Sequence, residues 1–187
     1  MTVVSFRLYL DGRGATREQL DQVEEITVEQ QVDMAWEARL QIPLCTDDTG
    51  RWSQESGPFT SDFARVRVEV KVGDHPFTPL IDGPIVGTDS DMSPEPGRSQ
   101  VTVIVHDDSV WLNRDERQRR FDGQLDHEIA EQLFRSVPEI ATTDIATTPA
   151  PGGGLAPSHV QRGTEMEVLR RLARRQGMHA YVLPGPE

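Results

Sequence analysis

Two short clusters in this 187-residue sequence carry side chains able to do chemistry: His106-Asp107-Asp108 and Asp126-His127-Glu128. Imidazole and carboxylate together can ligate a divalent metal, or pass a proton as general base and acid. Neither triplet has the spacing of a catalytic template. Both also have an ordinary reading. The first fits a polar strand end, and the second a helix N-terminus, where carboxylates meet the positive end of the helix dipole. No G-x-S-x-G or H-E-x-x-H occurs, and Gly152-Gly153-Gly154 follows prolines rather than a strand, so it reads as linker and not as a phosphate cradle. Cys45 is the single cysteine. It excludes an intrachain disulfide and a thiolate metal cluster, and no base stands beside it in sequence to make it a nucleophile. The residues predict no catalysis, no metal and no cofactor.

A third group raises a different question. Arg162, Arg170, Arg171, Arg174 and Arg175 fall on or beside one amphipathic segment in a chain of formal net charge −12. Arg170/Arg174 and Arg171/Arg175 are i,i+4 pairs of like charge, which weaken an isolated helix. Compensation can come from the helix C-terminus, from carboxylates such as Glu128 and Glu131, or from an acidic partner. These five arginines are therefore either a solvated face or an interface.

The elements that must position these residues fall into two parts. Residues 1–105 read as strands. Val3–Leu10 is closed by the turn pair Asp11-Gly12. In "ITVEQQVDMAWEARLQIPL", Met34, Trp36, Ala38, Leu40, Ile42 and Leu44 share one parity, which predicts a single long half-buried strand. Val66, Val68, Val70 and Val72 alternate with Arg65, Arg67, Glu69 and Lys71, which predicts a strand with a wet charged face, so that Glu69→Ala should be nearly silent. A short strand around Ile85 and Val86 and another carrying Val101, Val103 and Val105 complete a small antiparallel β-barrel or sandwich. "CTDDTGRWSQESGPFTSD" reads as a loop.

Residues 106–187 change to an α+β pattern. Asp126 caps a helix bearing Ile129, Ala130, Leu133, Phe134 and Val137, closed by Pro138. "ATTDIATTPAPGGGLAPS" is a Pro/Gly/Thr loop. Thr164-Glu165-Met166-Glu167 is a capping box opening a helix with Met166, Leu169, Leu172 and Ala173 on its buried stripe and Gly177 beyond its end. "MHAYVL" reads as a final strand. The fold class is mainly β with an α+β segment: a small antiparallel barrel or sandwich followed by a helix–loop–helix–strand part.

Composition narrows the function classes. Hydrophobic content of 36% and charged content of 27% fit a globular chain rather than a disordered one. No apolar run reaches membrane-span length, and the N-terminus lacks the pattern of a cleavable signal, so cytoplasmic synthesis is expected. Residues 1–105 hold 9 Lys/Arg against 18 Asp/Glu, and residues 106–187 hold 10 against 13. An acidic first half argues against direct nucleic-acid binding.

The segment from His159 to Val182 resembles a family pattern. The carriers are Gln161, Gly163-Thr164, Leu169-Arg170-Arg171-Leu172-Ala173, Gly177 and Tyr181-Val182. Upstream, Asp108, Leu112, Asn113, Arg114, Phe121, Asp126, Ile129 and Ala130 add to it. The pattern is similar to that of the phage late-control D proteins and the hub part of the type VI secretion spike. These are the central baseplate hubs of contractile tails and contractile injection systems. The resemblance implies a non-catalytic structural hub, a homotrimer that joins a hexameric inner tube protein to a trimeric spike protein among other baseplate components. It implies a place in a virion or injection particle, a small antiparallel β-barrel as the tube-like domain with residues 106–187 as part of a second, incomplete barrel, and the five arginines packed between subunits or against acidic neighbours. The chain departs from the family in stopping at "LPGPE" and in its long Pro/Gly loop. The alternative is a β-rich baseplate adaptor or binding module without hub symmetry.

Overall fold

The computed structural model describes residues 3–45, 57–95, 97–150 and 158–185. In chain order the elements are β1 (Val4–Leu10), β2 (Arg13–Gly14), α1 (Arg17–Asp21), β3 (Glu25–Glu29), β4 (Glu37–Pro43), β5 (Arg65–Val72), β6 (Thr78–Asp91), β7 (Gln100–His106), α2 (Ser109–Leu112), β8 (Arg117–Asp122), α3 (Asp126–Phe134), β9 (Ser158–Gly163) and α4 (Glu165–Arg175). The protein is mainly β. It divides into two compact units. The first comprises Met1–Gln31, Trp36–Asp107 and Leu183–Glu187, and the second Val32–Ala35 and Asp108–Val182.

Unit 1 is a seven-stranded antiparallel sheet in the order β2-β1-β5-β6-β7-β4-β3. One core cluster draws Leu8 and Leu10 from β1, Ala38, Leu40 and Ile42 from β4, Val66 and Val68 from β5, Ile81 and Ile85 from β6, and Val101, Val103 and Val105 from β7. A single sheet whose far strands share one core must curl, and Gln30, just past β3, donates to Leu80 O of β6 at 2.7 Å. β6 makes the corner. Its first half pairs with β5 and its second with β7, with a register shift between Ile85 and Gly87. Gly83 sits beside this corner because a Cβ there would stand 1.8 Å from His106 O. Among the described residues the edges β2 and β3 do not pair with each other, so the barrel expected from the sequence is an open, curled sheet. The loop read at residues 45–62 lies largely outside the described residues, although Phe59 within it is fully buried in the core.

Three readings of the strands need correction. The single long strand is two: β3 and β4 are an antiparallel hairpin whose connection passes through Asp33 at φ 63°, and Met34 is 57% exposed. Parity held from Ala38 to Leu44, but periodicity cannot register a turn after which the buried positions keep the same parity, as Val28 and Ala38 do. The short strand at Ile85 is the middle of the 14-residue β6. The charged face of β5 is also not wet, since Arg67 and Glu69 are buried.

Unit 2 packs α3 and α4 with the two-stranded β8–β9 sheet around Leu112, Phe121, Ile129, Leu133, Met166, Val168, Leu169 and Leu172. The α4 stripe follows its 3.6-residue period. Thr164 Oγ1 accepts from Glu167 N–H, and Glu167 Oε2 accepts from Thr164 N–H, the reciprocal capping box. At the other end Gly177 takes φ 68°, with Gly177 N–H to Arg174 O and Met178 N–H to Ala173 O. That is the Schellman pattern for which glycine is suited. The last expected strand does not form among the described residues. Ala180 and Val182 are buried while Tyr181 and Leu183 are exposed, so the alternation is real, but no strand pairs with it. No helix of the described residues is long and apolar enough to cross a membrane.

Candidate functional site

The first chemical triplet closes unit 1 rather than opening a site. Asp107 is buried; its Oδ2 accepts from Trp36 N–H at 2.6 Å and its own N–H donates to Trp36 O at 3.0 Å. The carboxylate thus finishes the β4–β7 ladder where the strands run out. His106 Nε2 lies 3.1 Å from Glu37 Oε2. Glu37 is held below the usual carboxylate range by Arg39, against the opposing effect of burial, with help from His106. Asp108 belongs to unit 2, where its Oδ1 accepts from the Trp111 indole at 3.3 Å.

The second triplet anchors unit 2. His127 Nδ1 accepts from Thr148 N–H at 3.1 Å, which ties the irregular segment after α3 to the helix start. Glu128 Oε2 accepts from Leu125 N–H at 2.7 Å, satisfying a donor that the helix leaves unpaired. Asp126 is the hub of a polar cluster. It accepts from Arg175 through two guanidinium nitrogens and from Gln176 Nε2 at 2.7 Å, and His159 Nε2 stands 3.3 Å from its Oδ1. A cleft of about 380 Å³ opens here, with Asp126, His159, Arg175 and Gln176 on its polar wall and Leu125 and Pro149 on its apolar one. The carboxylate is saturated by donors and is no available base. The cluster clamps the start of α3, the end of α4 and β9 together.

Burial alone would raise the Asp126 carboxyl, but the hydrogen bonds from Arg175 and Gln176 and the charges of Arg175 and His159 hold it below the ordinary range. A depressed folded pKa stabilises fully above the unfolded value of about 3.9 and is lost as pH falls through the folded one. Asp126→Asn should therefore lower stability at neutral pH and flatten the acid limb of a denaturation series below about pH 4. A series parallel to that of the parent protein would show that Asp126 contributes nothing to the linkage.

The arginines are largely engaged within the chain. Arg175 holds Asp126, Arg174 Nη2 donates to Asp33 Oδ2 at 3.1 Å, and Arg171 Nη2 donates to Val160 O at 3.3 Å. Arg174 is also the main cause of the lowered Asp33 pKa. Arg170 is half-buried with its Nε unpartnered, and Arg162 is exposed on β9 opposite Gln118. The compensation for the like-charge pairs comes from Asp33 and Asp126, not from Glu128 or Glu131; Glu131 pairs with Arg135 at 2.6 Å. Asp33 lies 141 residues from Arg174, beyond any spacing argument.

One charged cluster escaped the sequence reading. Arg67 Nε donates to Glu69 Oε1 at 2.8 Å, Nη1 to Asp82 Oδ2 at 3.1 Å and Nη1 also to Gly185 O at 2.7 Å. Arg65 Nε donates to the other Asp82 oxygen at 2.7 Å. Burial opposes the charge on Arg67, but Glu69 and Asp82 raise its pKa overall. Glu69 Oε2 is buried without a partner. Regular alternation had marked these residues as solvated; the cross-strand Asp82 and the segment at Gly185 cover them instead. Cys45 is exposed. Among the described residues no group of three or more His, Cys, Asp or Glu could hold a metal ion.

No protein-family model matches the sequence, and no curated protein matches it. Solved structures do. A tail protein from Neisseria meningitidis MC58 superposes with a TM-score of 0.58 at 14% identity, over 97% of this chain and 49% of that one. A tail protein of prophage MuSo2 from Shewanella oneidensis gives 0.61 at 16%, over 93% and 50%. An Escherichia coli component of the type VI secretion system, itself described as structurally similar to the phage T4 tail proteins gp27 and gp5, gives 0.52 at 14%, over 89% and 42%. The chain spans about half the length of these structures or less, and at such identities the likeness is one of fold.

Proposed function

We propose that this chain is a structural baseplate hub component of a contractile phage tail or contractile injection system, a homotrimer joining the hexameric inner tube to the trimeric spike. The observation that carries the reading is superposition of 97% and 93% of the chain on two tail proteins. A component of a type VI secretion system superposes on 89% of the chain as well. In this reading the chain acts by assembly in the particle and not by catalysis. That part is supported by how its acids and histidines are used: Asp107, Glu128 and His127 accept from backbone N–H groups, and Asp126 from side-chain donors. Deleting the gene in its host and imaging the particles checks the proposal. Particles lacking the tube–spike junction, restored by the wild-type chain and by a His106→Gln/His127→Gln variant, are expected. Intact particles in the deletion strain would overturn it.

A further inference from the structure

Among the described residues, those other than glycine with positive φ are Asp11, Asp33 and Phe63. Aspartate visits this region at low cost, because its short side chain can bond to nearby backbone. Asp11 does so, its Oδ1 accepting from Arg65 N–H at 2.8 Å. Phe63, at φ 61°, carries no polar group that could do the same. A bulky L side chain in this region crowds the following carbonyl, so the backbone at Phe63 is strained. Burial of the ring offsets little of this. Phe63 is 63% exposed, whereas Phe59, earlier in the same segment, is fully buried.

The backbone around the strained residue is fixed on both sides. Thr60 N–H donates to Gly57 O at 3.1 Å and Ala64 N–H to Ser61 O at 3.2 Å, as in two successive turns. Phe63 N–H donates to Ile85 O at 3.1 Å and Ile85 N–H to Ala64 O at 2.9 Å, which ties the segment to the β6 corner. Phe59 before it and Val66 after it are both sunk in the core of unit 1. A strained residue persists where its surroundings over-determine it, and such residues gather at sites of binding. An aromatic ring held rigid at a surface loses little freedom on docking, and aromatic rings are frequent interface anchors. The charge beside this one is acidic. Asp62 and Asp11 are exposed, and Arg65 is engaged by Asp82 at 2.7 Å.

We propose that Phe63 is the anchor by which unit 1 docks a different protein, its ring entering an apolar pocket whose rim carries lysine or arginine to face Asp11 and Asp62. This rests on the reading of the chain as an assembly component and names one of its contacts. A symmetric contact between two copies would set Asp11 and Asp62 against themselves, and like charges brought together oppose binding. A chain of net charge −12 is also a poor source of a basic rim. The strain is kept because the left-handed backbone presents the ring to the partner in a fixed direction.

Two measurements test it, both on the full chain expressed in its host. In the first, Phe63 is replaced by the photo-reactive p-benzoylphenylalanine and the cells are irradiated. One adduct with a single different protein is expected. Adducts made of two copies of this chain, or no adduct, would overturn the proposal. In the second, Phe63→Gly and Phe63→Asn place residues suited to the left-handed backbone. The isolated variants are expected to melt at or above the temperature of the parent, while the amount of chain recovered in purified particles falls about tenfold. A Phe63→Gly chain melting well below its parent would assign the ring to the chain's own fold, and recovery at the parent's level would leave it no anchoring role. Either result overturns the proposal. Absence of the wild-type chain from purified particles sinks the hub reading instead, and the cross-link in whole cells still decides the role of Phe63.

Discussion

Replacing Gly83 with alanine is expected to cripple unit 1. The added Cβ would stand 1.8 Å from His106 O, 2.9 Å from His106 C and 3.0 Å from Asp107 Cα. All three are backbone atoms at the end of β7, so no side chain can swing aside. Relief requires the β6 corner and the end of β7 to separate. That disturbs the Asp107–Trp36 bonds and the pairing of Ile85 with Val105. Overpacking of an ordinary core costs about 1–3 kcal/mol. A clash with rigid backbone belongs at or above the top of that range, so the melting temperature should fall by roughly 12 °C or more. Gly87 is the control in the same strand: its Cβ would meet nothing within 4 Å. Gly87→Ala should stay within about 1 kcal/mol of the parent, because only backbone entropy and exposed packing change. Thermal unfolding followed by circular dichroism compares the two, and a Gly83→Ala protein melting with its parent would show that the corner has room to move.

The second large effect is expected at Arg67. Its guanidinium holds Glu69, Asp82 and Gly185 O within a site where the Arg67 and Glu69 side chains are 11% and 3% exposed. Arg67→Met takes from the buried Glu69 carboxylate the cation it pairs with among the described residues, and breaking a buried pair from one side costs about 3–5 kcal/mol. Arg67→Met/Glu69→Leu removes both charges and should recover most of that loss, since an apolar replacement for a buried pair is often neutral. Asp82 keeps Arg65 in either variant. Glu69→Ala should be destabilising but milder than Arg67→Met, because Arg67 retains Asp82 and Glu69 Oε2 already lacks a donor. Urea titrations would order the three variants. Equal stability of Arg67→Met and the double variant would refute the view that the stranded carboxylate is the cost.

These two sites mark where reading the sequence stops short. Nothing about Gly83 in "LIDGPIVG" distinguishes it from Gly87, because the atom it must avoid comes from His106. Arg67 and Glu69 alternate with valines as solvated residues would. Their burial depends on Asp82 across the strand and on Gly185, 118 residues away. The final segment shows the same limit from the other side: the alternation at Ala180–Leu183 is present, but a strand also needs a partner, and parity says nothing about one.

Local chemistry determined the rest. The α4 capping box and its glycine stop are set by contacts three to five residues apart, so Thr164, Glu167 and Gly177 were enough to place both ends. The buried parity of Ala38, Leu40 and Ile42 and of Val101, Val103 and Val105 follows from a period of two, which needs no knowledge of the neighbouring strand. Sheet order and the spending of Arg174 and Arg175 on Asp33 and Asp126 were decided only by tertiary structure. Each depends on which distant group the folded chain brings within hydrogen-bonding distance, and that geometry carries no short-range signature in the sequence.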